Sequence, residues 1–288
     1  MTTEPQQPGD SQAPSETHGP SDPPLRSLAL PTGPFSLTDE GPASAPVIVA
    51  IHGLPGSARD FRWLAPHLHH ARRFIRLEMP GFGSTPLATA PDRSIEGRAR
   101  YALDAIRTLG VERPVLIGHS MGGVVATAAV SLAPDEFAGL GLLSSPGTTP
   151  HAMLRRAPFK LISRLLANPI GHRLLAPINR RGFAALGFKR YPDHELVGAI
   201  HCVAQTPTAT HRRNVLGLSL PTLVAYCQDD PLIEVEVARE LAEVCPDGPR
   251  LVFETGGHNP QKSHAREIAE ALLEWPAPNC ASAARTHL

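Results

Sequence analysis

Apolar positions along the chain fall into two patterns, and their alternation predicts the architecture. Residues 46–51 (P-V-I-V-A-I) form a continuous apolar, β-branched run, as a strand buried on both faces does, and shorter apolar pieces at 74–79, 115–117 and 140–144 predict further strands. Between them, 92–109 places Ile95, Ala99, Ala102, Leu103 and Ile106 at helical spacing until Gly110 stops the run. A helix is also predicted over 58–70, and short edge strands within 27–37. Strands resume at 222–227 and 250–254, with helices at 234–244 and 264–275. Such strand–helix alternation predicts an α/β chain, a mostly parallel central sheet flanked by helices. Functional groups then collect at the carboxyl ends of the strands.

From 147 to 216 the strand signal lapses. Met153, Leu154, Leu161, Ile162, Leu165 and Leu166 form a helical apolar stripe, and further helical pieces run to Arg213. A helical block between two strands of one sheet predicts a lid over the strand ends. The expected organisation is a disordered tail at 1–27, a first core part at 28–146, the lid at 147–215, a second core part at 216–277 and a loose tail at 278–288. The first segment is rich in Pro, Ser, Gln and Gly and cannot bury enough surface to order itself. It lacks the basic start and apolar centre of a secretory signal, and no stretch reaches the length of a membrane span. A cytoplasmic protein is expected.

Composition narrows the partners. The 288 residues carry 27 Lys and Arg against 27 Asp and Glu, so net charge offers no case for nucleic acid. The four cysteines show no C-x-x-C spacing and the fourteen histidines no H-E-x-x-H, so reduced thiols, no metal and no cofactor are expected. Charge is nevertheless segregated. Between 147 and 192 stand Arg155, Arg156, Lys160, Arg164, Arg173, Arg180, Arg181, Lys189 and Arg190, with no Asp or Glu. Such a stretch attracts an anionic partner, an acyl-chain carrier or an anionic lipid surface, or it is a solvated face neutralised by the core. The solvated face is the preferred reading.

The chemistry centres on V-L-I-G-H-S-M-G-G-V-V-A-T-A-A-V at 115–130. Gly118-His119-Ser120-Met121-Gly122 is G-x-S-x-G between a strand and a helix, a sharp turn that exposes a serine at a helix N-terminus. A serine hydroxyl needs a neighbouring base, and imidazole is the side chain best poised for that near neutrality.

Four further motifs complete a pattern: H-G-L-P-G-S at 52–57, E-M-P-G-F-G-S-T at 78–85, C-Q-D-D-P-L-I at 227–233 and G-G-H-N-P-Q at 256–261. In this order the chain closely resembles an α/β-hydrolase over residues 35–277, least so in the inserted block. The resemblance implies Ser120 as nucleophile, His258 as base and Asp230 as the orienting acid. Asp230 stands three residues beyond Cys227, where relatives carry glycine, so Asp229 stays in reserve. The family's other acid position, after the 140–144 strand, holds Ser144 and Ser145. Backbone N–H groups of Leu54 and Met121 are the implied oxyanion donors; proline, which has none, comes only at Pro55. His52 and His119 are implied as structural neighbours, and Leu161, Leu165, Phe183 and Phe188 as candidates to line an acyl or aryl pocket. Serine rather than aspartate at the turn disfavours epoxide opening and halide removal. Acyl transfer remains: a small carboxylic ester first, with thioester, lactone, carbon–carbon or aminopeptidase chemistry as alternatives. From another class, a non-catalytic hydrolase-fold protein that captures an apolar ligand is the rival.

Overall fold

A computed structural model of the chain describes residues 20–275. Eight strands are present: β1 (Arg26–Leu30), β2 (Gly33–Glu40), β3 (Val47–Ile51), β4 (Arg73–Leu77), β5 (Val115–His119), β6 (Gly139–Leu143), β7 (Thr222–Cys227) and β8 (Arg250–Phe253). They form one sheet in the order β1-β2-β4-β3-β5-β6-β7-β8. β2 runs antiparallel to β1 and β4, and all other pairs are parallel. Ile51 registers with both Leu77 and Gly118, and Leu143 with His119 and Ala225. The carboxyl ends of β3 to β7 therefore finish nearly level, and the residues that follow them share one rim.

Helices α1 (Ala65–Leu68), α2 (Ile95–Thr108) and α3 (Met121–Leu132) fall among the first six strands. The connection from β6 to β7 holds α4 (Ala152–Arg156), α5 (Phe159–Ala167), α6 (Pro169–Ala185), α7 (Asp193–Ala204) and α8 (Thr208–Leu216). The described chain closes with α9 (Val235–Val244), α10 (Pro260–Ser263) and α11 (Ala265–Glu274). Successive strand residues point to opposite faces. Val49, Ile51 and Leu116 thus pack with α2, α3 and α9, while Ile48, Ala50 and Ile117 pack with α1 and α11. Both faces are covered, which is why these strands read as continuous apolar runs rather than alternating ones. Within the insertion α5, α6 and α7 pack on one another, and α8 returns to α3. No helix of the described residues is long and apolar enough to cross a membrane.

Two expectations are corrected. The helix predicted over 58–70 is a 3-10 turn at Ala58–Phe61 followed by the single turn α1. Pro66 has no N–H, and its ring would clash with the carbonyl four residues back, so a continuous helix cannot pass it. The tail predicted at 1–27 also overlaps described structure from residue 20 on. Arg76 is fully buried in β4 and pairs with Glu40 and, at 2.6 Å, with Asp22, while β1 begins at Arg26. A buried guanidinium left unpaired is costly, so Asp22 holds this segment against the sheet. Residues 1–19 and the tail predicted at 278–288 lie outside the described residues.

Candidate active site

The site starts with the backbone at the end of β5. Ser120 follows the strand at φ 52° and ψ −124° and immediately precedes α3. Non-glycine residues rarely adopt this region, and strain there marks functional turns. The turn is tight because Gly122 lies against β3: a Cβ at that position would come within 2.3 Å of the Ile51 carbonyl oxygen and 2.5 Å of that of His52. Gly122→Ala should therefore destabilise the fold by about 2–3 kcal/mol, since backbone must move to admit the methyl. Urea unfolding checks this, read as a lower midpoint at unchanged slope; an unchanged midpoint would mean that the turn is not packed as described.

Three side chains far apart in sequence meet above this turn. His258 Nε2 lies 2.8 Å from Ser120 Oγ, and its Nδ1 lies 2.8 and 3.0 Å from the two carboxylate oxygens of Asp230. With Nδ1–H donating to the carboxylate, the Nε2 lone pair is left to accept the serine O–H. Asp230 Oδ1 also accepts the backbone N–H groups of Leu232 (2.8 Å) and Ile233 (3.1 Å). Burial works against ionisation of Asp230. The His258 bond and charge and these two amides outweigh it and hold the carboxyl below its ordinary value.

The neighbouring Asp229 has a different position. It faces the loop that carries His258 and accepts Gly256 N–H at 3.2 Å and Gly257 N–H at 2.8 Å. Cys227 packs against the same loop. Gly256 adopts φ 134°, and a Cβ there would lie 2.8 Å from Cys227 Sγ. The cysteine is buried, and burial pushes its thiol up to about 11, so it stays protonated.

Two further histidines brace the rim, beyond what their flanking positions in sequence disclose. His52 Nδ1–H donates to the Gly53 carbonyl (2.7 Å), and its Nε2 accepts Met79 N–H (3.0 Å), tying the turn after β3 to the end of β4. His119 Nε2–H donates to the carbonyl oxygen of His258 (2.7 Å) and so grips the backbone of that loop. Burial depresses both, His52 to about 4 and His119 to about 3, so each is neutral at ordinary pH.

Ser120 opens onto a cavity of about 460 Å³ between the sheet rim and the inserted helices. Leu54 and Met121 line it beside Ser120 and His258. Met121 is the first residue of α3, where amide N–H groups have no intrahelical acceptor. Phe183 and Phe188 also line the cavity. Leu161 and Leu165 do not: they are 54% and 42% exposed on the outer side of α5. Helical spacing identified them as one face without saying which layer that face meets. Leu166, one position on, is the buried residue of α5. His151 and Asn179 are polar members of the lining, each with a buried nitrogen that has no hydrogen-bond partner. Their single-residue positions carry no motif that could have marked them. Among the described residues no group of three or more His, Cys, Asp or Glu side chains is arranged to hold a metal ion.

A model of the alpha/beta hydrolase family matches residues 48–271, most of the chain. The chain belongs to the alpha/beta hydrolase family. This hydrolase is 28% identical over 258 residues to the dihydrolipoyllysine-residue acetyltransferase component of an acetoin cleaving system from Pseudomonas putida, covering 84% of the chain and 65% of that relative. It is 24% identical over 254 residues to a 2-hydroxy-6-oxononadienedioate/2-hydroxy-6-oxononatrienedioate hydrolase of Paraburkholderia phymatum, covering 81% of the chain and 88% of that relative. A thermophilic esterase from Thermogutta terrifontis superposes with a TM-score of 0.69 at 22% identity, over 88% of this chain and 98% of that one, a likeness of fold.

Proposed function

We propose that this hydrolase cleaves a small, uncharged carboxylic ester through an acyl-enzyme on Ser120. The observation that carries the reading is the continuous hydrogen-bonded line from Ser120 Oγ through His258 to Asp230, with 2.8 Å at each end. His258 Nε2 takes the serine proton as Oγ attacks the ester carbonyl, and Asp230 stabilises the resulting imidazolium. The amides of Leu54 and Met121 receive the charge that develops on the carbonyl oxygen; one such donor is worth on the order of 10²–10³ in rate. Collapse of the tetrahedral species breaks the bond to the alkoxy oxygen, which leaves as the alcohol with the proton from His258. Water, deprotonated by the same imidazole, then releases the acid and restores Ser120.

The lining supports an uncharged substrate. Phe159, Phe183, Phe188, Ile200, Val203 and Leu232 present apolar surface, and the polar members His151 and Asn179 are neutral groups. A dioate such as the Paraburkholderia relative is named for needs cationic partners for its carboxylates, which this lining does not offer. In this reading the inserted helices are a lid that selects the acyl group.

A fluorophosphonate probe should label the native protein and fail on Ser120→Ala. A p-nitrophenyl ester panel of graded acyl length should be hydrolysed in preference to matched anilides. An unlabelled native protein would instead make this a non-catalytic ligand binder, and turnover of thioester or diketone analogues above esters would move the substrate class.

A further inference from the structure

The inserted helices carry a surface that the chemistry at Ser120 does not use. Ile170, Leu174 and Ile178 recur every fourth position on α6 and are 74%, 67% and 62% exposed, the three most exposed large apolar side chains among the described residues. Leu161 and Leu165 form a second exposed pair on α5, which packs against α6. Large apolar side chains at helical spacing and open to water mark an interaction face.

Cations share that face. Arg173 and Arg181 stand three residues beyond Ile170 and Ile178, the spacing that makes helix neighbours, and Lys160 and Arg164 flank Leu161 and Leu165. Of the nine cations between 147 and 192, only Arg155 and Arg180 have ion-pair partners among the described residues, Glu234 and Asp193. Neutralisation by the core therefore reaches little of this surface.

We propose that the outer face of α5 and α6 docks on an anionic lipid bilayer. Apolar side chains enter the acyl boundary while the guanidinium and ammonium groups meet lipid phosphates. An acidic protein would match the charge alone, and a second copy would match the apolar stripe but set like charges face to face. A bilayer with anionic headgroups supplies both complements. The opposite side of α6 lines the cavity through Asn179 and Phe183, and Leu186 is both exposed and part of the lining. Docking thus brings the cavity to the lipid surface, where apolar acyl esters are concentrated; this use of the face rests on the ester reading above.

Vesicle co-sedimentation of the full chain carrying Ser120→Ala tests docking apart from hydrolysis. Binding to vesicles of phosphatidylcholine and phosphatidylglycerol in equal parts should be at least about tenfold tighter than to phosphatidylcholine alone, and should weaken as salt rises. Ile170→Gln, Leu174→Gln and Ile178→Gln together should lower vesicle affinity about tenfold or more. The same triple change in the chain with Ser120 intact should leave kcat/KM on a water-soluble acetyl ester within about twofold, since none of the three lines the cavity. Equal binding by parent and triple variant, or no preference for the anionic vesicles, would overturn the proposal. Dimerisation in sedimentation velocity that the triple variant abolishes, without vesicle binding, would also overturn it and assign the face to a second copy. Anionic-vesicle binding by a protein without esterase activity would uphold docking and reject the ester reading.

Discussion

Asp230→Asn should lower kcat by about 10⁴ with KM little changed, the size of effect seen when a triad acid is replaced by its amide. The amide can present N–H to His258 Nδ1, which favours the tautomer whose Nε2 carries a proton and cannot accept one from Ser120. It also removes the charge that stabilises the imidazolium. Asp229→Asn, one residue away, should cost no more than about tenfold, because its carboxylate meets the amides of Gly256 and Gly257 rather than the imidazole. An asparagine carbonyl can accept those same bonds. Steady-state kinetics of the pair gives a clean decision: a larger loss for Asp229→Asn would mean that the orienting acid is misassigned.

Acidification from pH 6.5 to 4 should destabilise the fold through His52 and His119. Burial keeps both neutral in the folded chain, at about 4 and about 3. An unfolded histidine protonates near 6.5, so below that pH the unfolded chain binds protons that the folded one refuses, and stability falls. By pH 4, about 2.5 units below the unfolded value, the loss amounts to about 3 kcal/mol for each histidine, against about 5–15 kcal/mol for an ordinary domain. Asp60 works in the opposite direction: burial lifts its carboxyl to about 7, so the penalty of its charge is relieved as pH falls from 7 towards 4. The histidine effect can be isolated with His119→Gln, whose amide keeps a donor for the His258 carbonyl but does not titrate. Urea midpoints from pH 7 to 4 should fall less steeply for the variant than for the parent. Parallel profiles would show that His119 takes no part in the acid response.

Legibility in the sequence followed the physics of each element. The strands were readable because a sheet covered on both faces demands unbroken apolar runs, and 46–51 and 222–227 have no other plausible use. The turn at Ser120 was readable because close packing against β3 excludes every side chain at Gly122. Convergence of Ser120, Asp230 and His258 came from family order alone, since no local spacing links residues separated by 138 positions. The inserted block was the least readable. Its helices were foreseeable from periodicity, but Leu161 and Leu165 show that an apolar stripe does not disclose whether it meets a cavity, a neighbouring helix or water. His119 was underrated because its work, a bond to the His258 backbone, depends on a contact 139 residues away.

The excursion containing α4 to α8 leaves after β6 and returns at β7, two strands paired side by side with Leu143 opposite Ala225. The sheet has already fixed both stems, so lengthening or replacing what lies between them costs little closure entropy. Ser120, Asp230 and His258 all lie outside that excursion. On the proposed reading, recognition and reaction are therefore separately heritable in this chain: a graft taken from another relative redirects what is bound while the machinery beneath it goes on unchanged.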